Sequence, residues 1–206
     1  MTAAPESSLR ARKKRRTRDR IYDAAVELFA TRPYGEVTVE EICEQAEVGR
    51  ATFFRFYGSK AGLIGEFGQR LAEQIVQRLD DAPDDATATD QLWLVQDEMT
   101  TAWGLSAAST REMAREWIRN ATAADLHEAA PPEILALVAD IVREGQASGE
   151  FTTAYEPDFV AWIVVASLSS ITAGWLGSGS GDDDSLVQGT RDTVSFLLSG
   201  LSAPRN

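Results

Sequence analysis

The chain has 206 residues, 44% hydrophobic and 25% charged, with one cysteine and one histidine. That composition is ordinary for a globular domain able to bury a core unaided, and a lone Cys43 excludes a disulfide framework. Charge is divided unevenly: residues 1–64 carry 12 Lys+Arg and 9 Asp+Glu, net +3, whereas residues 65–206 carry 8 and 23, net −15, so a basic head sits on an acidic body.

Residues 1–16 have the composition of a basic disordered arm, without the apolar run of a secretory signal. The first 20 residues hold eight bases, Arg15, Arg16 and Arg18 among them, against two acids, which favours a polyanionic partner. Thr17 is a candidate N-cap for a first helix whose inner stripe is Ile21, Ala24, Ala25, Leu28 and Phe29, with Pro33 and Gly35 to stop it. A second helix is predicted from the capping box Thr38/Glu41, stapled by Val37 and Ile42, with Cys43 on its inner side as a small buried thiol. Glu47-Val48-Gly49 breaks it, and glycine there can supply a positive φ. A third helix, Arg50 to Tyr57, is rich in aromatics, and Ser59 can cap a fourth running to about Asp80.

Beyond a loop at 81–90, five more helices are predicted. The first runs from about Gln91 to Trp103; the next opens at the capping box Ser109/Glu112; Pro131-Pro132 opens the third, with Gly149 just past its end. Phe159 to Leu176 is an uncharged stretch of 18 residues, interrupted by serines and threonine and flanked by acids, so it reads as a helix buried on all sides rather than a membrane span. After an acidic Gly-Ser connection, Ser185 can cap a last helix. With no run of alternating apolar and polar residues, the fold class is all-α, about nine helices in all.

Two short helices around a tight turn form a helix-turn-helix pattern, in which the first helix scaffolds the other two and Arg50, Ala51 and Thr52 face base edges. Thr38 to Lys60, together with Ile21 to Phe29, resembles the DNA-binding signature of the TetR family of repressors. The resemblance covers residues 17–64 and implies a three-helix DNA-binding domain there, with residues 65–206 forming a ligand-binding and dimerisation domain. By position it implies that Thr38 contacts a phosphate, that Arg50, Ala51, Thr52, Phe54 and Arg55 face the groove, and that Lys60 holds a phosphate at the start of the fourth helix. Phe53 and Tyr57 would pack inward. Three positions depart from the family pattern: Gly49 replaces the usual serine, Phe54 the usual tyrosine, and Pro33 the usual glycine. The arm, with Arg15, Arg16 and Arg18, is expected to compensate with phosphate or minor-groove contacts.

For the body the expected partners are double-stranded DNA through the head, a second copy of the chain, and an apolar or aromatic small-molecule effector, with no membrane and a cytoplasmic location. Candidate pocket residues are Phe67, Trp93, Met99, Trp103, Met113, Trp117 and Trp162. Candidate dimer residues, from the last two helices, are Phe159, Ile163, Ile171, Val187, Val194, Leu197, Leu198 and Leu201. His127 is read as structural, and no metal cluster, nucleophile–base pair or phosphate-binding glycine loop points to an enzyme or a cofactor. The competing class is a ligand-insensitive DNA-binding or architectural protein.

Overall fold

The structure, a computed structural model, describes residues 4–102, 111, 113, 115–116, 132–178 and 182–202. These form an all-helical protein. α1 is Ala4–Phe29, α2 Val39–Gln45, α3 Arg50–Tyr57, α4 Gly62–Asp80, α5 Ala88–Thr100, α6 Pro132–Ser148, α7 Pro157–Ser178 and α8 Asp183–Leu201, with a 3₁₀ turn at Tyr34–Glu36. The expected helix opening at Ser109/Glu112 falls largely outside the described residues, as does His127.

The N-terminus corrects the expectation of a disordered arm. α1 begins at Ala4, and Thr17 lies inside it, its Oγ1 donating to the Lys13 carbonyl at 3.0 Å. After Pro5, Ser7 and Ser8 in its first turns, the segment from Leu9 to Arg16 is made of Leu, Ala, Arg and Lys, all strong helix formers, and extending a helix already fixed by tertiary packing needs no new nucleus. Residues 9–16 are exposed on every side. From Ile21 onward α1 is buried: Ile21, Ala25 and Phe29 meet Ile42, Phe53 and Leu63 in the core of the head. Each large apolar side chain buried there contributes about 1.5–3 kcal/mol.

The helix starts show local chemistry overruling periodicity. α5 begins at Ala88, three residues earlier than expected, because Thr87 and Asp90 form a capping box. Glu150 adds a second cap, its two carboxylate oxygens accepting from the Ala88 and Thr89 amides at 2.9 Å each. Asp182, not Ser185, caps α8. Nor does Ser59 cap α4: the N-cap is Ala61, with no side-chain bond.

α4 runs without a break from the head into the body, where it packs on α5 and α6. α7 lies against α5, α6 and α8. Val160, Val164, Val165, Leu168 and Thr172 are buried, but Phe159 and Ile171 are 53% and 37% exposed. It is the one helix among the described residues long and apolar enough to cross a membrane. The expectation that it is buried on all sides is therefore corrected: one face is left open.

Candidate nucleic-acid interface

The turn between α2 and α3 is built differently from the sequence expectation. The Val48 amide donates to the Cys43 carbonyl at 2.9 Å and the Glu47 amide to the Glu44 carbonyl at 3.1 Å, the two bonds of a Schellman helix end. The residue in the left-handed region is Glu47 (φ 52), whereas Gly49 has φ −76 and caps α3 without a side-chain bond. Arg20 reaches from α1 to this helix end, its Nη2 donating to the Ala46 carbonyl at 2.6 Å and the Glu47 carbonyl at 3.2 Å. A cation on the last carbonyls of α2 suits both the unpaired acceptors and the helix dipole. Arg20 was not singled out in the sequence; its signal is only that it is the base nearest the buried part of α1.

At the start of α2 the capping box forms as expected. The Glu41 amide donates to Thr38 Oγ1 at 3.2 Å, and Glu41 Oε2 accepts from the Thr38 amide and hydroxyl, each at 2.8 Å. Arg32 Nη1 donates to Glu41 Oε1 at 2.7 Å. The Arg32 bond first, then the Thr38 donors, hold the Glu41 carboxyl at about 2, below its ordinary 4.5. A depressed carboxylate stabilises the fold fully above the unfolded value and loses that contribution as pH falls toward the folded one. Urea midpoints of the wild type should therefore fall more steeply between pH 4.5 and about 2 than those of Glu41→Gln. Parallel curves would count against the box.

α3 divides as its sequence predicts. Phe53 and Tyr57 pack inward, and the Tyr57 hydroxyl donates to the Arg18 carbonyl at 2.9 Å, tying α3 to α1. Arg50, Ala51, Phe54 and Arg55 are exposed and Thr52 is half-buried, so these five share the outer side of the helix. Arg50 is held by Glu40 at 2.6 Å and lies 5.9 Å from the Phe54 ring centre. Both partners of this ion pair are more than half exposed. Pairs of this kind are worth little, so Arg50 can leave Glu40 for a nucleic acid at small cost.

Two expected DNA-contacting cations are turned inward instead. Arg18 pairs with Glu66 of α4, and its Nη2 donates to Gln69 Oε1 at 3.0 Å. Lys60 Nζ donates to the Tyr34 and Val37 carbonyls at 2.6 and 2.8 Å and sits 4.1 Å from the Tyr34 ring centre. Burial lowers the Lys60 pKa, although carbonyl oxygens and an aromatic face still suit a cation. Thr38 likewise directs its hydroxyl proton to Glu41. Arg15 and Arg16 are fully outward on α1.

The sequence reading missed an ion cluster joining head to body. Glu66, 6% exposed, receives Arg18 from α1 and Arg70 Nε from its own helix at 2.9 Å. Arg70 Nη2 also reaches Asp19 of α1 at 2.7 Å, and its guanidinium lies over the Tyr22 ring. The i,i+4 spacing of Glu66 and Arg70 was the available signal.

Among the described residues, the expected pocket residues do not line one common cavity. Phe67 lines a cavity of about 280 Å³ at the junction of α1, α4 and α5, whereas Trp162 lines another, of about 580 Å³, between α6 and α7. Met99 and Met113 are fully buried core, and Trp93 packs half-buried against it. Trp103 and Trp117 lie outside the described residues. Of the expected dimer residues, Val194 and Leu201 are 2% and 6% exposed within the subunit, so they are core and cannot also face a partner. Phe159 and Ile171 are exposed, and Ile163, Val187, Leu197 and Leu198 are half-buried. Phe196, not predicted, is 76% exposed on the same pair of helices.

A capped helix-turn-helix clamped by α1, carried on an all-helical body, defines the class: a helix-turn-helix protein. Residues 21–67 match the family described as bacterial regulatory proteins, tetR family. The chain is 52% identical over 52 residues to the transcriptional regulator TcmR of Streptomyces glaucescens, covering 25% of this chain and 23% of that protein. It is 37% identical over 70 residues to the putative mycofactocin biosynthesis regulator MftR of Mycobacterium tuberculosis, covering 34% and 35%. The chain thus matches only about a quarter to a third of the length of these curated relatives. The fold of the whole resembles FadR of Thermus thermophilus, a TetR-family repressor solved with lauroyl-CoA: the TM-score is 0.71 at 22% identity, over 92% of this chain and 97% of that one. Residues 21–67 thus carry the tetR-family domain, and the whole shares the fold of that structure.

Proposed function

We propose that this protein is a ligand-responsive transcriptional regulator of the cytoplasm, a repressor that binds an inverted-repeat operator as a homodimer and leaves it when a small apolar effector binds. The observation that carries the DNA-binding half is the outer side of α3, where Arg50, Ala51, Thr52, Phe54 and Arg55 stand clear of a core that fixes the helix from behind. A helix reads base edges only when a rigid scaffold presents it to the major groove. The net charge of −15 on the body orients the molecule, repelling phosphate wherever the head does not engage it. FadR's lauroyl-CoA supports an effector with an apolar part.

Dimerisation through α7 and α8 is supported by their open apolar face. A groove of about 210 Å³ between them is lined by Phe159, Ile163, Phe196 and Leu197. Exposed aromatics beside a groove are what a twofold, self-complementary interface needs. Phe196→Glu is expected to convert the dimer to monomer in sedimentation while leaving the helical circular dichroism intact. A variant that remains dimeric moves the interface elsewhere.

The decisive test selects bound sequences from random duplex DNA, then repeats the selection with long-chain acyl-CoA added. An inverted repeat lost on addition of ligand supports the whole reading. A fixed sequence indifferent to every ligand favours a ligand-insensitive DNA-binding protein. Absence of any sequence preference removes the regulator reading.

A further inference from the structure

We propose that the cavity between α1, α4 and α5 binds a small organic carboxylate with an apolar body, and that its occupation loosens α1 from α4. The regulatory half rests on the function proposed above; the binding half does not.

The cavity, about 280 Å³, is lined by Tyr22 of α1, by Phe67, Arg70, Leu71 and Gln74 of α4, and by Thr101 and Ala102 just past α5. That is near the lower end of the range for small-molecule sites, roughly 300–1,000 Å³. Phe67, Leu71 and Ala102 give it an apolar wall, and Arg70 a cation. Tyr22 is 8% exposed and lines the cavity, and its hydroxyl is not among the buried polar atoms left without a partner. A ligand oxygen entering the cavity can accept from that hydroxyl in place of water. Burial raises Tyr22 to about 12, and the hydroxyl, protonated at neutral pH as it would be at its ordinary 10, can donate to an anion.

Arg70 makes the site a switch. It holds Glu66 through Nε and Asp19 through Nη2. The two partners are unequal: Glu66 is buried and keeps Arg18 as a second partner, whereas the Asp19 side chain is 44% exposed. A carboxylate entering the cavity can therefore replace Asp19 on Arg70, because Asp19 regains water while Glu66 stays paired. A planar guanidinium favours that exchange, since it takes carboxylates two oxygens at a time. Asp19 lies on α1 and Arg70 on α4, so the exchange removes a tie between the DNA-facing head and the helix that continues into the body.

The test is calorimetric titration of the full chain with benzoate, 3-phenylpropionate and octanoate, each beside its neutral amide. At least one acid is expected to bind saturably, its amide at least about tenfold more weakly, as befits the loss of charge-assisted hydrogen bonds. Tyr22→Phe and Arg70→Lys should each weaken that acid about tenfold or more. Asp19→Asn should tighten it by at least about twofold, because the competing carboxylate is gone; a merely structural Asp19 would not do this. The proposal is overturned if none of the three acids binds, if the amides bind equally, or if Asp19→Asn leaves affinity unchanged or weaker. With a selected duplex, the acid should weaken DNA binding by the same factor that DNA weakens acid binding. Acid binding that leaves DNA affinity unchanged removes the switch and keeps the site, whereas failure to bind any duplex counts against the regulator reading alone.

Discussion

Deleting residues 1–16 is expected to weaken duplex binding at least about tenfold near 0.1 M salt and to flatten its salt dependence. The segment carries six bases, Arg10, Arg12, Lys13, Lys14, Arg15 and Arg16, all exposed. A flexible arm could lay every one of them along the phosphates, and its loss would cut the log–log salt slope by about 5 per subunit, at roughly 0.9 per contact. A helix shows DNA one side at a time. Arg12, Lys13 and Arg16 share one side of α1, Arg15 is on another, and a cut of about 2–3 per subunit is expected instead. Measuring the slope thus tests both the contact and its conformation. Lys13→Pro breaks the helix while removing one base, and should shift the slope by more than Lys13→Ala does if the helix matters. A truncated chain with an unchanged slope would show that the arm never touches DNA.

Gly62→Ala should destabilise the protein by about 1–3 kcal/mol and cost DNA affinity as well. A Cβ at Gly62 would sit 2.0 Å from the Tyr57 carbonyl oxygen and 2.9 Å from its carbon, both backbone atoms that no rotamer change can move away. The link from α3 to α4 must open to make room, and Tyr57, whose hydroxyl ties α3 to α1, moves with it. Gly65 is the natural control. It lies one turn on, exposed, with nothing within 4 Å of its Cβ position, so Gly65→Ala should stabilise by about 0.5–1 kcal/mol through helix propensity. Thermal or urea denaturation checks the pair, and equal behaviour of the two variants would remove the close approach as the reason for Gly62.

The head was readable from sequence because several local signals agreed there: the stripe from Ile21 to Phe29, the Thr38/Glu41 box, and the breaker ahead of Arg50. Each describes what a residue does to its own backbone or to the nearest turn. What sequence could not give was the direction of long cations. Arg18 and Lys60 sit at positions where a base suits DNA, but nearby acceptors, Glu66 and two loop carbonyls, turn them inward. Periodicity failed in a similar way on α8. The apolar stripe containing Val194 and Leu201 is the subunit's own core, and Phe196, off that stripe, supplies the open surface. A hydrophobic pattern states that a face is covered without stating by which chain. The helical arm was missed because charge was weighed and the helix-forming tendency of Arg, Lys and Ala was not. The positive φ fell to Glu47 rather than Gly49 because the Schellman end fixes it one residue after the cap, whatever residue stands there.

α4 has one further consequence. Its 19 residues cross from head to body as a single uninterrupted rod, about 28 Å long at 1.5 Å per residue. A tilt of about 5° at the end tied to Glu98 through Gln74 and Arg78 would sweep the opposite end by about 2.4 Å, with no hinge to absorb it. Such a lever needs no unfolding and no large rearrangement to turn a slight shift deep in the body into a displacement of α3 and its exposed face.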